Sequence, residues 1–159
     1  MNISEVKMTD AEALFDFCTR LREEHAEMSF ADVTSIKDVI SWIENDHEHL
    51  FMMREANHII ALVKAKQGHE GRNHSAFMSA AVLKSRRGEG LVNRLAEEVY
   101  PRLKERGIKI VRAYIYSNNH SSISAVLKEG FHCTGSVHMH HFNEATNEWV
   151  DDLIFHKYL

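Results

Sequence analysis

Ser85-Arg86-Arg87-Gly88-Glu89-Gly90-Leu91 follows a strand-like run at 75–84 and opens a stretch with helical spacing at 90–106. Glycine lets the chain turn tightly and lets a ligand approach the backbone closely. A helix N-terminus offers unpaired N–H groups and a partial positive charge, which suits a pyrophosphate. Arg86 and Arg87 add positive charge at the mouth. Taken alone, the heptapeptide reads equally well as an ordinary exposed strand-to-helix turn, because short glycine motifs are common. The sequence on either side decides between the two.

Beyond the turn, Leu91, Leu95, Val99 and Leu103 form one stripe of a helix over 90–106, with Pro101 inside it and expected to kink it. Gly107 precedes a strand at 108–116 rich in β-branched residues. A short helix at 121–129 is closed by Gly130 as a left-handed cap, with Phe131 packing back. The runs 131–142 and 149–158 read as the last two strands. On the upstream side, 50–54 and 58–66 are strands and 67–74 is a polar hairpin loop. The first strand is expected at 3–7. Thr9 and Glu12 are read as a capping box for a helix at 10–24, whose apolar positions are Leu14, Phe17, Cys18 and Leu21. Ser35 can cap a second helix carrying Ile36, Val39, Ile40 and Ile43 at i, i+3, i+4 and i+7. The resulting order, β, α, α, β, β, β, α, β, α, β, β, is mixed α/β. Its crossover helix joins two strands that should run parallel.

Bulk properties narrow the function. The 159 residues contain no linker, repeat or low-complexity tract and only one proline, so a single domain over 1–159 is expected. A formal net charge of -4 argues against a general nucleic-acid binder. No apolar run is long enough to cross a bilayer, and residues 1–10 lack a signal-peptide pattern. Cys18 and Cys133 are too few for a disulfide framework and read as reduced thiols of a cytoplasmic protein.

The region 79–131 resembles the GNAT superfamily of N-acetyltransferases. That family carries Arg/Gln-x-x-Gly-x-Gly/Ala at its phosphate turn, and here Arg87-Gly88-Glu89-Gly90-Leu91-Val92 stands in its place. Val82 falls five residues before the arginine, as the family's last strand valine does. Downstream the family has Asn-x-x-Ala/Ser-Ile and then Gly-Phe, matched by Asn119, Ser122, Ile123, Gly130 and Phe131. The resemblance implies a GNAT-like acyltransferase fold, with a central, mostly antiparallel sheet, one splayed parallel pair and helices on both faces. It also implies acetyl-coenzyme A as co-substrate. Backbone groups of Ala80, Ala81 and Val82 would pair with the pantetheine arm and polarise the acetyl carbonyl. Arg87, Gly88, Glu89, Gly90, Leu91, Val92 and Asn93 would surround the pyrophosphate, and Asn119 would contact the cofactor where the parallel strands part.

Three positions depart from the family pattern. Val92 replaces the last small residue of the turn. Val126 stands where many members place a tyrosine acid, and Tyr114 where some place a glutamate base. The reaction can proceed without them, since a neutral amine beside a thioester needs mainly orientation and carbonyl polarisation. A thiol of pKa about 8 to 9 is a tolerable leaving group. Tyr114 and Tyr116 share one strand face and are the candidate proton donors; the alternative is that they pack against the core or cofactor.

Other clusters carry less. His138 and His140 should share a strand face, but no third ligand is fixed, so a solvated face is favoured over a metal site and no metal is expected. A histidine there can instead line an acceptor pocket. Glu23, Glu24, Glu27 and Asp32 gather between the first two helices, where carboxylates would favour a cationic amine; Glu24 and Glu27 are the candidate acceptor contacts, against a plain solvated helix end. Cys133 reads as a packed strand residue, and Met52 and Met53 as core. The expected activity is transfer of acetyl to a primary amine of a small molecule by direct attack, without nucleic-acid or membrane partners and with a homodimer left open. A module that only binds or senses acetyl-coenzyme A, and a histidine-based metal binder, are the alternatives.

Overall fold

A computed structural model describes residues 1–26 and 28–159. Seven strands form one sheet: β1 (Asn2–Glu5), β2 (Glu48–Glu55), β3 (His58–Gln67), β4 (Ser75–Val82), β5 (Ile110–Tyr116), β6 (His132–Asn143) and β7 (Glu148–Tyr158). Four α-helices accompany it: α1 (Ala11–Glu23), α2 (Ile36–Glu44), α3 (Leu91–Glu105) and α4 (His120–Lys128). The sheet order is β1-β2-β3-β4-β5-β7-β6, with β4 and β5 the single parallel pair.

Strand alternation sends side chains to two separate cores. Phe51, Met53, Ala61, Val63, Val111 and Ala113 face α3, meeting Leu91, Leu95, Ala96, Val99 and Leu103, with Ile123 and Val126 of α4 alongside. Leu50, Met52, Leu62 and Ala81 face the opposite way, against Leu14, Phe17, Cys18 and Leu21 of α1 and Val39 of α2. Burial of the Cys18 thiol pushes its pKa up to about 12, so it is a packed, protonated side chain rather than a nucleophile.

Several local expectations are corrected. The first strand ends at Glu5, and the chain enters α1 through a 3-10 turn at Met8–Asp10. The Asp10 carboxylate accepts from the Lys7 N–H at 2.8 Å and pairs with Arg54 at 3.0 Å, in place of a Thr9–Glu12 box. Strand β4 stops at Val82, and a 3-10 turn, Lys84–Arg86, follows it. Cys133 is exposed, on β6 at the edge of the sheet. Pro101 is an exposed residue inside α3 and does not end the helix, which continues to Glu105. Gly130 closes α4 in the left-handed conformation (φ 81°), with the Phe131 N–H on the Val126 carbonyl and the Phe131 ring buried. Among the described residues no helix is long and apolar enough to cross a membrane.

Candidate active site

The parallel ladder between β4 and β5 is short. It runs from Ser75–Ile110 to Phe77–Arg112 and then stops, while β4 continues to Val82 and β5 to Tyr116. Beyond Phe77 the two strands part, and backbone groups of Met78 to Val82 on that edge have no ladder partner. Ala80, Ala81 and Val82 therefore stand on one wall of a wedge. Tyr114 and Tyr116 stand on the other, held there because β5 remains paired to β7 along its full length.

The turn at the head of α3 closes one end of the wedge. Gly88 (φ 82°) and Gly90 (φ 69°) both adopt the left-handed conformation that glycine alone takes without strain. A Cβ on either would meet nothing within 4 Å, so the space above the turn is open to a ligand. Gly90 is the N-cap residue and no side chain caps the helix, which leaves the amides of Leu91, Val92 and Asn93 without an intrahelical acceptor. Those amides and the helix dipole form a ready anion site.

An acidic residue in such a turn needs explaining. Glu89 is turned aside by Arg86, whose guanidinium donates to it at 2.6 and 2.9 Å and also bonds Glu55. The hydrogen bonds from Arg86 hold the Glu89 carboxyl below its usual range. Arg86 is thus committed to neutralising a local carboxylate, and Arg87, about half exposed, is the arginine left at the mouth. Asn93 and Asn119 brace the walls. The Asn93 amide donates to Glu129 at 2.7 Å, joining α3 to α4, and Asn119 caps α4 by accepting from the Ser122 N–H at 3.2 Å.

The two tyrosines separate. Tyr114 is exposed and stacks edge-on against Phe77 at 4.9 Å, where the ladder ends. Tyr116 lines an open depression of about 490 Å³ together with Met28, Ser29, Asp32, His140 and His141. Its ring lies 4.7 Å from His141 and 5.7 Å from His140. The loop from α1 to α2 supplies Met28, Ser29 and Asp32. It is pinned by Phe30, which is fully buried and edge-on to Trp42, and by Arg22, which donates to the Val33 carbonyl.

The histidines depart from simple alternation. Register shifts between Val137 and His141, and Met139 takes a positive φ of 50°. Asp151 stabilises this bulge, accepting from the Met139 N–H at 2.9 Å and contacting His138 at 3.1 Å. The Met139 N–H and then His138 hold the Asp151 carboxyl below its usual range. His138 is thereby drawn to Asp151, while His140 and His141 both turn toward Tyr116. His138 and His140 consequently do not act as a pair. Among the described residues no three His, Cys, Asp or Glu side chains gather as a metal site.

Of the acidic candidates, Asp32 lines the depression and Glu24 does not. Both Glu24 carboxylate oxygens accept from the Lys84 N–H, at 3.0 and 3.1 Å, with Arg87 at 3.9 Å. Glu27 lies outside the described residues. One carboxylate escaped the sequence reading. Asp152 is buried, faces Val137 and Tyr116 across the two ladders of β7, and has no hydrogen-bond partner for Oδ1. Its signal is an acid between Val150 and Ile154 at the every-second positions of a strand, where apolar residues are the rule.

Comparison with known proteins bears on this geometry. The pattern of the acetyltransferase (GNAT) family matches residues 12–131. No curated protein matches the sequence. Among solved structures, ribosomal-protein-alanine N-acetyltransferase from Brucella melitensis superposes with a TM-score of 0.84 over 100% of both chains, at 21% identity. A GNAT-family acetyltransferase from Streptococcus pneumoniae gives 0.86 over 99% of both, at 18% identity. YncA from Salmonella typhimurium, solved with its cofactor acetyl-CoA, gives 0.84 over 99% of this chain and 93% of that one, at 16% identity.

Proposed function

The chain belongs to the GNAT acetyltransferase family, and from that premise we propose that it moves an acetyl group from acetyl-coenzyme A to a primary amine of a small molecule by direct attack. One observation carries the acceptor half of this reading: Tyr116 stands on the β5 wall of the wedge and also lines the 490 Å³ depression, so the two spaces share a border. A volume of that order suits a small ligand, since ligand pockets run from about 300 to 1,000 Å³.

The chain's own groups fit the cofactor. The left-handed glycines and uncapped α3 amides suit a pyrophosphate, with Arg87 beside them. The unpaired edge of β4 offers Ala80, Ala81 and Val82 backbone groups to an amide-bearing arm, in the manner of an added strand. Asn119 borders the wedge from the head of α4. When bound, acetyl-coenzyme A supplies an activated thioester carbonyl. The protein's task is then to orient a neutral amine, polarise that carbonyl through backbone N–H groups and let a proton leave. Tyr116 is the phenol placed to pass a proton at the acceptor border, with water as the parallel route; Tyr114 is engaged with Phe77.

The test is free-thiol release from acetyl-coenzyme A across a panel of amines. Saturable, amine-dependent release is expected. Tight cofactor binding with no release for any amine overturns the transferase reading and leaves a module that binds acetyl-coenzyme A without using it.

A further inference from the structure

Asp152 is the one acid of the acceptor region that the fold both buries and leaves unanswered. It is only 9% exposed, and among the described residues it has neither a hydrogen-bond donor nor an ion-pair partner. Desolvating a carboxylate without a donor is costly, and such groups are ordinarily paired. The ladder registers put Asp152 directly opposite Tyr116 on the same sheet face, next to a residue that lines the depression though not itself in the lining. The depression's lining contains no lysine or arginine, and Asp32 adds a second carboxylate at its exposed rim. The Tyr116 ring beside them offers a face that attracts cations, with His140 and His141 packed around it.

Resting on the acetyltransferase reading above, we propose that Asp152 is the docking carboxylate for the acceptor and that the acceptor is a small diamine. The chemistry requires two nitrogens. A carboxylate within about 4–6 Å of an amine favours its charged form, and a charged ammonium has no lone pair with which to attack. One nitrogen therefore remains as the ammonium held by Asp152, with Asp32 at the rim, while the other, neutral, enters the wedge. There its lone pair forms the N–C bond to the acetyl carbon as the C–S bond breaks. The thiolate leaves with the electron pair of the C–S bond, and the surplus proton of the attacking nitrogen passes to it or to water. The products are the mono-acetylated diamine and free coenzyme A.

Binding tests this without turnover. Calorimetric titration of the full chain, free of acetyl-coenzyme A, with 1,4-diaminobutane and with n-butylamine should show the diamine held at least about tenfold tighter. Asp152→Asn, close to isosteric, should weaken both amines, since each can dock an ammonium there, and should abolish the preference because Asp32 is then the one carboxylate left for a second ammonium. Asp32→Asn, on the exposed rim, should weaken the diamine about two- to threefold, and its folding is not at risk. Equal affinity of the unaltered protein for the two amines overturns the proposal without use of any variant, as does a folded Asp152→Asn protein that keeps the preference. Thiol release is read separately. Release with amines other than diamines, together with equal affinities, removes the diamine and leaves the transferase standing. Asp152-dependent diamine binding with no release upholds the site and removes the transferase.

Discussion

The two ends of the wedge are built from different materials. At the end proposed for the cofactor the candidate groups are backbone: the edge of β4 beyond Phe77, the left-handed Gly88 and Gly90, and the first amides of α3. At the end proposed for the acceptor they are side chains, brought together from the α1–α2 loop, β5 and the β6 bulge. Backbone groups are indifferent to most substitutions, so the first end tolerates Val92 in place of a small residue and an acid at position 89. Side-chain sites change with every substitution, so the second end is free to vary from one chain to the next. The contrast predicts that damage at the first end is severe and confined to the cofactor, whereas damage at the second is graded.

The largest effect is expected at Gly90. Gly90→Asp forces a left-handed φ of 69° on a residue with a Cβ and adds negative charge at the helix N-terminus. Acetyl-coenzyme A affinity should fall at least about tenfold, or roughly 1.4 kcal/mol. Calorimetry that finds it unchanged in a folded protein would dissolve the distinction between the two ends.

A second test asks whether Arg86 acts by neutralising Glu89 or by touching phosphate. Arg86→Ala frees a carboxylate beside the turn and should weaken the cofactor several-fold, more so at low salt. Adding Glu89→Gln to that variant should recover most of the loss. No recovery means that the arginine contacts the phosphates itself.

Proton transfer should tolerate substitution. Tyr116→Phe is expected to reduce turnover less than tenfold, and Tyr114→Phe less than that, both with cofactor affinity intact. A general acid is ordinarily worth about 10² to 10⁴. A loss of that size at Tyr116 makes it the acid and removes water as an equal route.

The smallest effect concerns pH. Asp151 is held below its usual range by the Met139 N–H and by His138, so its folded pKa lies beneath its unfolded value of about 3.9. The stabilisation is therefore complete above that value and is lost as pH falls through the folded pKa. Denaturant melts should show a modest advantage of the unaltered protein over Asp151→Asn at pH 6 that shrinks below about pH 4. An advantage that persists undiminished into strong acid places the stabilisation of the bulge elsewhere.

The sequence was legible where a residue type has one physical reason to be there. Gly88, Gly90 and Gly130 each mark a left-handed backbone, and Leu91, Leu95, Val99 and Leu103 mark one buried stripe. The chain order of elements and the parallel pair were legible from such marks, whereas the helices on both faces came from the family resemblance and the sheet order from the structure alone. The acceptor end was less legible. Met139 takes a positive φ although methionine carries no signal for it, and the bulge it makes separates His138 from its two neighbours. Glu24 looked like part of an acidic cluster because chain neighbours were assumed to share a destination. It leaves them to bond Lys84, sixty positions away in the chain. Asp152 drew no notice because one acid in an apolar strand looks unremarkable until its missing partner is seen.

That bond from Glu24 has a thermodynamic consequence. The loop that walls the acceptor depression starts at the end of α1, and Glu24, the first residue beyond the helix, clasps the first amide of the phosphate turn and lies 3.9 Å from Arg87. A phosphate that draws Arg87 or Lys84 toward itself loosens or shifts one anchor of that loop. The two ligands are then linked, and linkage is reciprocal: whatever factor the nucleotide applies to the amine's dissociation constant, the amine returns to the nucleotide's. Such a coupling would favour the two ligands together or apart without fixing which binds first, and it would run through a carboxylate outside the depression's lining.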